Sequence, residues 1–157
     1  MRKRRISRTR DAAVSSGEGW LDVEGTALVE ITSEDTDHPV ESALGLAKVG
    51  GWRAADPGPQ TLRLIFDEPK TLKRISLAFE EHEIARTQEF VLRWSSDSGK
   101  TFREIVRQQW NFSPPATTRE AEDYHVELSN VTVLEMFIVP DIGGGAARAS
   151  LNTLRLS

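Results

Sequence analysis

Trp110, Asn111 and Phe112 stand just before Pro114-Pro115, with Arg119 a short way beyond. Aromatic rings, an amide and a guanidinium are the parts of a sugar site, where a ring face covers the apolar side of the sugar and planar polar groups bond neighbouring hydroxyls. The same residue types recur elsewhere: His38 in "EDTDHP", Trp52 and Arg53 in "GGWRAAD", His82 and Arg86 in "EEHEIAR", and Asp141 and Arg148 across "PDIGGGAARAS". Trp110 has two readings, the rim of a core or a platform for a ligand. In an unbulged strand it shares the parity of Phe102 and Val106, which points it inward.

Other chemistries find less support. The histidine of "EEHEIAR" lies among carboxylates, but His and Glu do not repeat at a helical ligand spacing such as H-E-x-x-H. His125 sits between Tyr124 and Val126 as an outward strand residue. The Gly-rich run after Asp141 lacks the Lys and Ser or Thr of a phosphate loop, so its glycines serve a tight turn. No nucleophile elbow is present. The expectation is a protein that is not an enzyme and takes no cofactor or metal.

Elements must position these residues. The chain has 157 residues, 38% of them hydrophobic and 28% charged, which suits one domain with a full core. Zero cysteines exclude a disulfide framework and thiolate metal sites. Six of the first ten residues are Arg or Lys, so a net charge of −4 leaves −10 for the remainder (−4 − 6). Such an arm can hold nucleic acid by counterion release, but without interleaved aromatics it reads as a flexible tail over 1–19, with the domain proper at 20–157. No apolar run follows the basic start and none is long enough for a membrane span, so the expected location is cytoplasmic.

From residue 26 the pattern is β. Runs at 26–32, 61–66, 71–79, 89–95, 101–108, 123–128, 132–139 and 148–156 alternate or are rich in β-branched residues, with turn chemistry between them. Leu62, Leu64 and Phe66 share one face, as do Ile75, Leu77 and Phe79, and Phe90, Leu92 and Trp94. The expectation is an all-β, two-sheet sandwich. If every connection reverses direction, tight turns at 67–70, 97–99 and 129–131 fall at one end. The segments 33–60, 80–88, 109–122 and 140–147 then converge at the other, where a binding site belongs.

The order "ITSEDTDHPVESAL…GGWRAADPGPQTLRLIFDEPKTLKRISLAF", then "FVLRWSSDSGKTFREI", then "ARASLNTLRL" resembles the discoidin, or coagulation-factor C-type, domains of the galactose-binding-like superfamily. The match spans about residues 28–156. It implies an eight-stranded jelly roll of a five-stranded and a three-stranded antiparallel sheet, with Trp52 packed beneath the loops. It also implies non-catalytic binding through the loop pole, typically to a glycan, in some members to phospholipid or, as in intracellular scaffolds, to another protein. Many relatives hold a structural calcium ion with an Asp after the Ala-Leu segment and a Glu in the last strand. Here Gly45 follows Ala43-Leu44 and the last strand reads Leu151-Asn152-Thr153, so no calcium of that type is expected.

Removal of residues 1–18 is expected to leave the melting temperature almost unchanged, because that segment has too few apolar residues to offset the entropy of ordering it. A calorimetric scan of the truncated chain checks this.

Overall fold

A computed structural model describes residues 19–46 and 49–157. Up to residue 18, the expected basic tail lies outside the described residues. Eight strands form: β1 (Ala27–Ile31), β2 (Trp52–Pro57), β3 (Gln60–Glu80), β4 (Arg86–Ser95), β5 (Arg103–Phe112), β6 (Arg119–Val139), β7 (Arg148–Leu151) and β8 (Thr153–Leu156). Two single-turn helices, α1 (Val23–Thr26) and α2 (Glu41–Leu44), precede and follow β1. Asp22 caps α1, its Oδ1 accepting from the Gly25 N–H at 3.2 Å.

These are not the eight strands read from the sequence. The runs 61–66 and 71–79 fuse into β3, and 123–128 and 132–139 fuse into β6. Their intervening turn signals face one another across the ladder, with Lys70 opposite Val131, and the register slips between Ile65 and Arg74. Bulges there absorb extra residues and bend the pair instead of reversing it. Asn130 adopts φ 58° at the bend, a conformation Asn tolerates better than most residues. Residues 52–57, expected as loop, form β2, and the expected closing strand divides at Asn152 into β7 and β8.

The bend creates the two layers. The first half of β3 pairs with β1 and with the second half of β6, which pairs in turn with β4, and β4 with β5, giving five strands. The second half of β3 lies between β8 and the first half of β6, giving three. A separate antiparallel ribbon joins β2 to β7. This is the five-plus-three arrangement expected, reached through continuous strands. Phe79 of the three-stranded layer meets Phe90 of the five-stranded layer with ring centroids 5.2 Å apart.

The core follows the alternation. Leu62, Leu64, Phe66, Ile75, Leu77, Phe79, Phe90 and Leu92 are buried, while Trp94 is half-buried at the margin. On the outer face of the five-stranded layer, Glu30, Arg63, Glu135 and Arg93 stand in one row across four strands. The Glu135 side chain is only 4% exposed and is clamped by Arg63 at 2.7 Å and Arg93 at 2.5 Å. Burial would raise its pKa, but the hydrogen bonds from Arg93 and Arg63 outweigh that and hold it below the ordinary value.

Leu77, 2% exposed at the centre of the three-stranded layer, tests this packing. Leu77→Ala should cost about 2–5 kcal/mol through lost transfer energy and a cavity, read from a denaturant melt.

Candidate functional site

Hydrogen bonds tie the predicted loops into one pole. The Glu81 N–H reaches Thr118 O at 2.8 Å, Ile142 N–H reaches Thr87 O at 2.9 Å, and Gly58 N–H reaches Ala147 O at 3.3 Å. The segments after β3, β5 and β6 and the β2–β3 turn are therefore neighbours. The 33–40 stretch joins them along β2: Asp35 N–H donates to Arg53 O at 2.8 Å and Arg53 N–H to His38 O at 3.1 Å. Trp52 is buried beneath and donates Nε1–H to Ser33 O at 3.0 Å. Ser33 in turn accepts from Ala55 N–H and donates to Gln60 Oε1, which pins the loop to the start of β3.

Three sequence candidates come together on this platform. Arg53 stands opposite Ser150 in the β2–β7 ribbon, and Arg148 lies two residues along the same strand face. Trp52, Ala54, Ala149 and Leu151 occupy the inward parity, so the arginines face outward. His38 lies beside them, its Nδ1 3.6 Å from the Asp35 carboxylate. Asp35 is held below its ordinary pKa chiefly by the Asp37 N–H, which outweighs the opposing effect of burial, with smaller help from the charge and hydrogen bond of His38 and the charge of Arg148. Among the described residues the Arg53 side chain makes no hydrogen bond or ion pair. Beside the patch, a notch of about 260 Å³ opens between Gly58-Pro59 and the loop from Val139 to Ala147, with Asp141 and Ile142 on its wall. Asp141 accepts from Gly143 N–H and shapes that loop. A broader groove of about 580 Å³ along the free edge of β1 is lined by the Arg63–Glu30 pair and holds none of the candidates.

The other candidates separate. His82 and Arg119 both address Glu80, at 3.3 and 2.9 Å, and Asn152 Nδ2 donates to the same carboxylate at 3.1 Å. Asn111 Oδ1 accepts from the Thr87 hydroxyl at 2.6 Å. Arg86 and Phe112 are corrections. The Arg86 side chain is 1% exposed and donates to Glu81 at 2.6 Å, Pro140 O at 2.6 Å and Gln88 at 3.2 Å, with its guanidinium 4.9 Å above the buried Phe112 ring. Both are framework, because a charge so enclosed spends its donors on internal partners. Burial would raise the Glu81 carboxyl, but the Arg86 bond and two backbone N–H groups hold it low. Trp110 is half-buried and packs against the core, with no partner for its Nε1 among the described residues.

Sequence reasoning missed an acidic pair beside Trp110. Glu120, 1% exposed, receives a long 3.4 Å bond from Gln88, the residue opposite Trp110 on β4, and neighbours Glu122 and Tyr124 along β6. Burial, then the hydrogen bond and charge of Glu122, push the Glu120 carboxyl up to about 8. Burial and the same two carboxylates also raise the Tyr124 hydroxyl. The i, i+2, i+4 spacing Glu120-Glu122-Tyr124 signals a shared face, but not that the face is covered. Among the described residues no cluster of His, Asp and Glu could hold a metal ion.

No family model matches the chain, and no curated protein matches its sequence. Solved structures do match in fold. A family 32 carbohydrate-binding module from Clostridium perfringens NanJ, in complex with galactose, aligns with TM-score 0.61 at 14% identity, over 83% of this chain and 97% of that one. The corresponding module of AlyQ, in complex with 4,5-unsaturated mannuronic acid, aligns with TM-score 0.60 at 14% identity over 84% and 95%. A Ruminococcus gnavus family 29 fucosidase aligns with TM-score 0.62 at 6% identity, over 83% of this chain but 25% of the enzyme. The chain thus shares the two-layer β-sandwich fold of these modules.

The acidic pair makes stability depend on pH. Because the folded pKa of Glu120 lies above that of an unfolded carboxyl, the fold retains a proton that unfolding releases, and stability falls as pH rises from about 4.5 to about 8. Glu120→Gln should raise the melting temperature at pH 8, change it little at pH 4, and flatten the profile between them.

Proposed function

We propose that the chain is a non-catalytic carbohydrate-binding module whose ligand seats on the outward face of the β2–β7 ribbon, against Arg53, Arg148, His38 and Asp35. The observation that carries this reading is the pair of outward arginines at the loop pole, one of them without an internal partner, beside a carboxylate and an imidazole. Guanidinium forks bond vicinal hydroxyls or a carboxylate in two places at once. Hydroxyl-rich and uronate-bearing sugars both present such groups. The notch beside Ala147 gives a second sugar unit or a substituent room against apolar wall atoms. The relatives crystallised with galactose and with an unsaturated mannuronic acid add support through shared fold. His82 and Arg119 form the polar margin of the same pole around Glu80.

A glycan array that includes neutral galactosides and uronates, followed by titration of any hit, tests the reading. Arg53→Ala and Arg148→Ala should each weaken binding by about 1–3 kcal/mol, the loss of a charge-assisted bond, while leaving the melting curve nearly unmoved. Arg86→Ala should do the reverse and cost about 3–5 kcal/mol of stability by leaving Glu81 unpaired. A blank array with a co-purifying protein would favour a protein-binding scaffold instead. The observation behind that second reading is the outer sheet face, where Leu28 is 56% and Phe137 38% exposed.

A further inference from the structure

Arg155 lies on β8, opposite Ser76 of β3, and reaches across to the end of α2. Its Nη1 donates to Ala43 O at 2.9 Å and to its neighbour Leu154 O at 3.1 Å, and its Nη2 donates to Gly45 O at 3.2 Å. Helix α2 ends with Gly45 at φ −72°, ψ 133°, an extended conformation that gives the last carbonyls no left-handed cap. Ala43 and Leu44 are 0% and 1% exposed, so those carbonyls have little access to water. Burial lowers the Arg155 pKa and no carboxylate contributes to the shift. A guanidinium nevertheless stays protonated. The result is a partly buried positive charge whose partners are carbonyl oxygens, the donor set that otherwise suits a hard cation.

The family resemblance implies a calcium ion near this Ala-Leu segment. The residues do not fit one. Gly45 stands where a carboxylate is needed, and a guanidinium already engages the carbonyls and would repel a second cation nearby. We infer that Arg155 is a built-in cation, a positioning residue that clamps the Ala43 and Gly45 carbonyls in place of a metal ion and fixes the span between His38 and Arg53. His38 lies just before α2. After it the chain turns through Gly50 and Gly51, where φ is 98° and 71° and a Cβ on Gly51 would lie 2.7 Å from Leu151 O. Arg155 therefore grips the middle of a span whose two ends carry the polar patch. Its importance for ligand binding rests on the function proposed above; its importance for the fold does not.

Melting curves and amide hydrogen exchange, both without ligand, test the inference on the full chain. The unaltered chain should melt at the same temperature in excess EDTA and in millimolar calcium chloride. Arg155→Met should lower the melting temperature by roughly 5–10 °C and speed exchange across 41–46 and 52–54 by about tenfold or more relative to the β3 and β6 amides. Arg155→Lys, which keeps the charge but not the fork, should fall between and serves if the Met variant does not fold. A melting temperature that drops in EDTA and returns with calcium would overturn the proposal, as would Arg155→Met with unchanged exchange in both segments. A blank glycan array would sink the proposed function and leave these outcomes standing.

Discussion

The β3–β6 ladder is the constraint on which the rest of the molecule depends. Two strands of 21 residues each pair from Gln60 opposite Ile138 to Glu80 opposite Arg119, and the register slips near its middle let one ladder serve both layers. Every other strand except the β2–β7 ribbon is placed by hydrogen bonds to this pair or to β4 beside it. Because the layers share continuous backbone, their separation and mutual twist are set by where the bulges fall, and Phe79 meets Phe90 across the space so created.

Bending one ladder also fixes which charges meet. On the outer face, register alone aligns Glu30, Arg63, Glu135 and Arg93, so a carboxylate can be buried between two guanidinium groups without an unpaired charge. Between the layers, the first half of β6 carries Glu120 and Glu122 near Gln88, and among the described residues no cation acts on Glu120 there. Its carboxyl keeps a proton instead, the cheaper outcome when desolvation and a like charge act together. At the pole, Arg86 spans Glu81 and Pro140 O and joins the segments that leave β3 and β6. It is the interior counterpart of Arg53 and Arg148, which face outward from a ribbon with a buried underside.

Arg155 shows the same economy at the end of α2. Among the described residues, the segment between β1 and β2 contains one helical turn and an isolated bridge between Asp35 and His38, so its own backbone bonds are few. Ser33 ties its start to Gln60, Trp52 fills the space beneath it, and Arg155 holds its middle. A long connection with three separate anchors can present polar side chains at fixed spacing, which is what a weakly hydrophobic ligand requires of its site.

The sequence by itself determined the class of fold, the core faces and the region of the pole, because side-chain alternation and turn composition are local properties that survive in any sandwich. It placed Leu62, Leu64, Phe66, Ile75, Leu77 and Phe79 inside on parity alone. Tertiary structure decided what parity could not reach. Asp67–Lys70 and Ser129–Val131 carry turn chemistry, yet whether such a stretch reverses the chain or bends it depends on the strand opposite, here an equally interrupted partner. Trp110 kept its inward parity and packs half-buried against the core. Arg86 and Arg53 have the same side chain and both sit near long loops, but only the layer above Arg86 and the carboxylate within its reach make one of them framework and leave the other facing solvent. The same holds for Arg155, two of whose partners lie more than a hundred residues away in the chain and are backbone carbonyls, groups that every residue carries and no sequence pattern distinguishes.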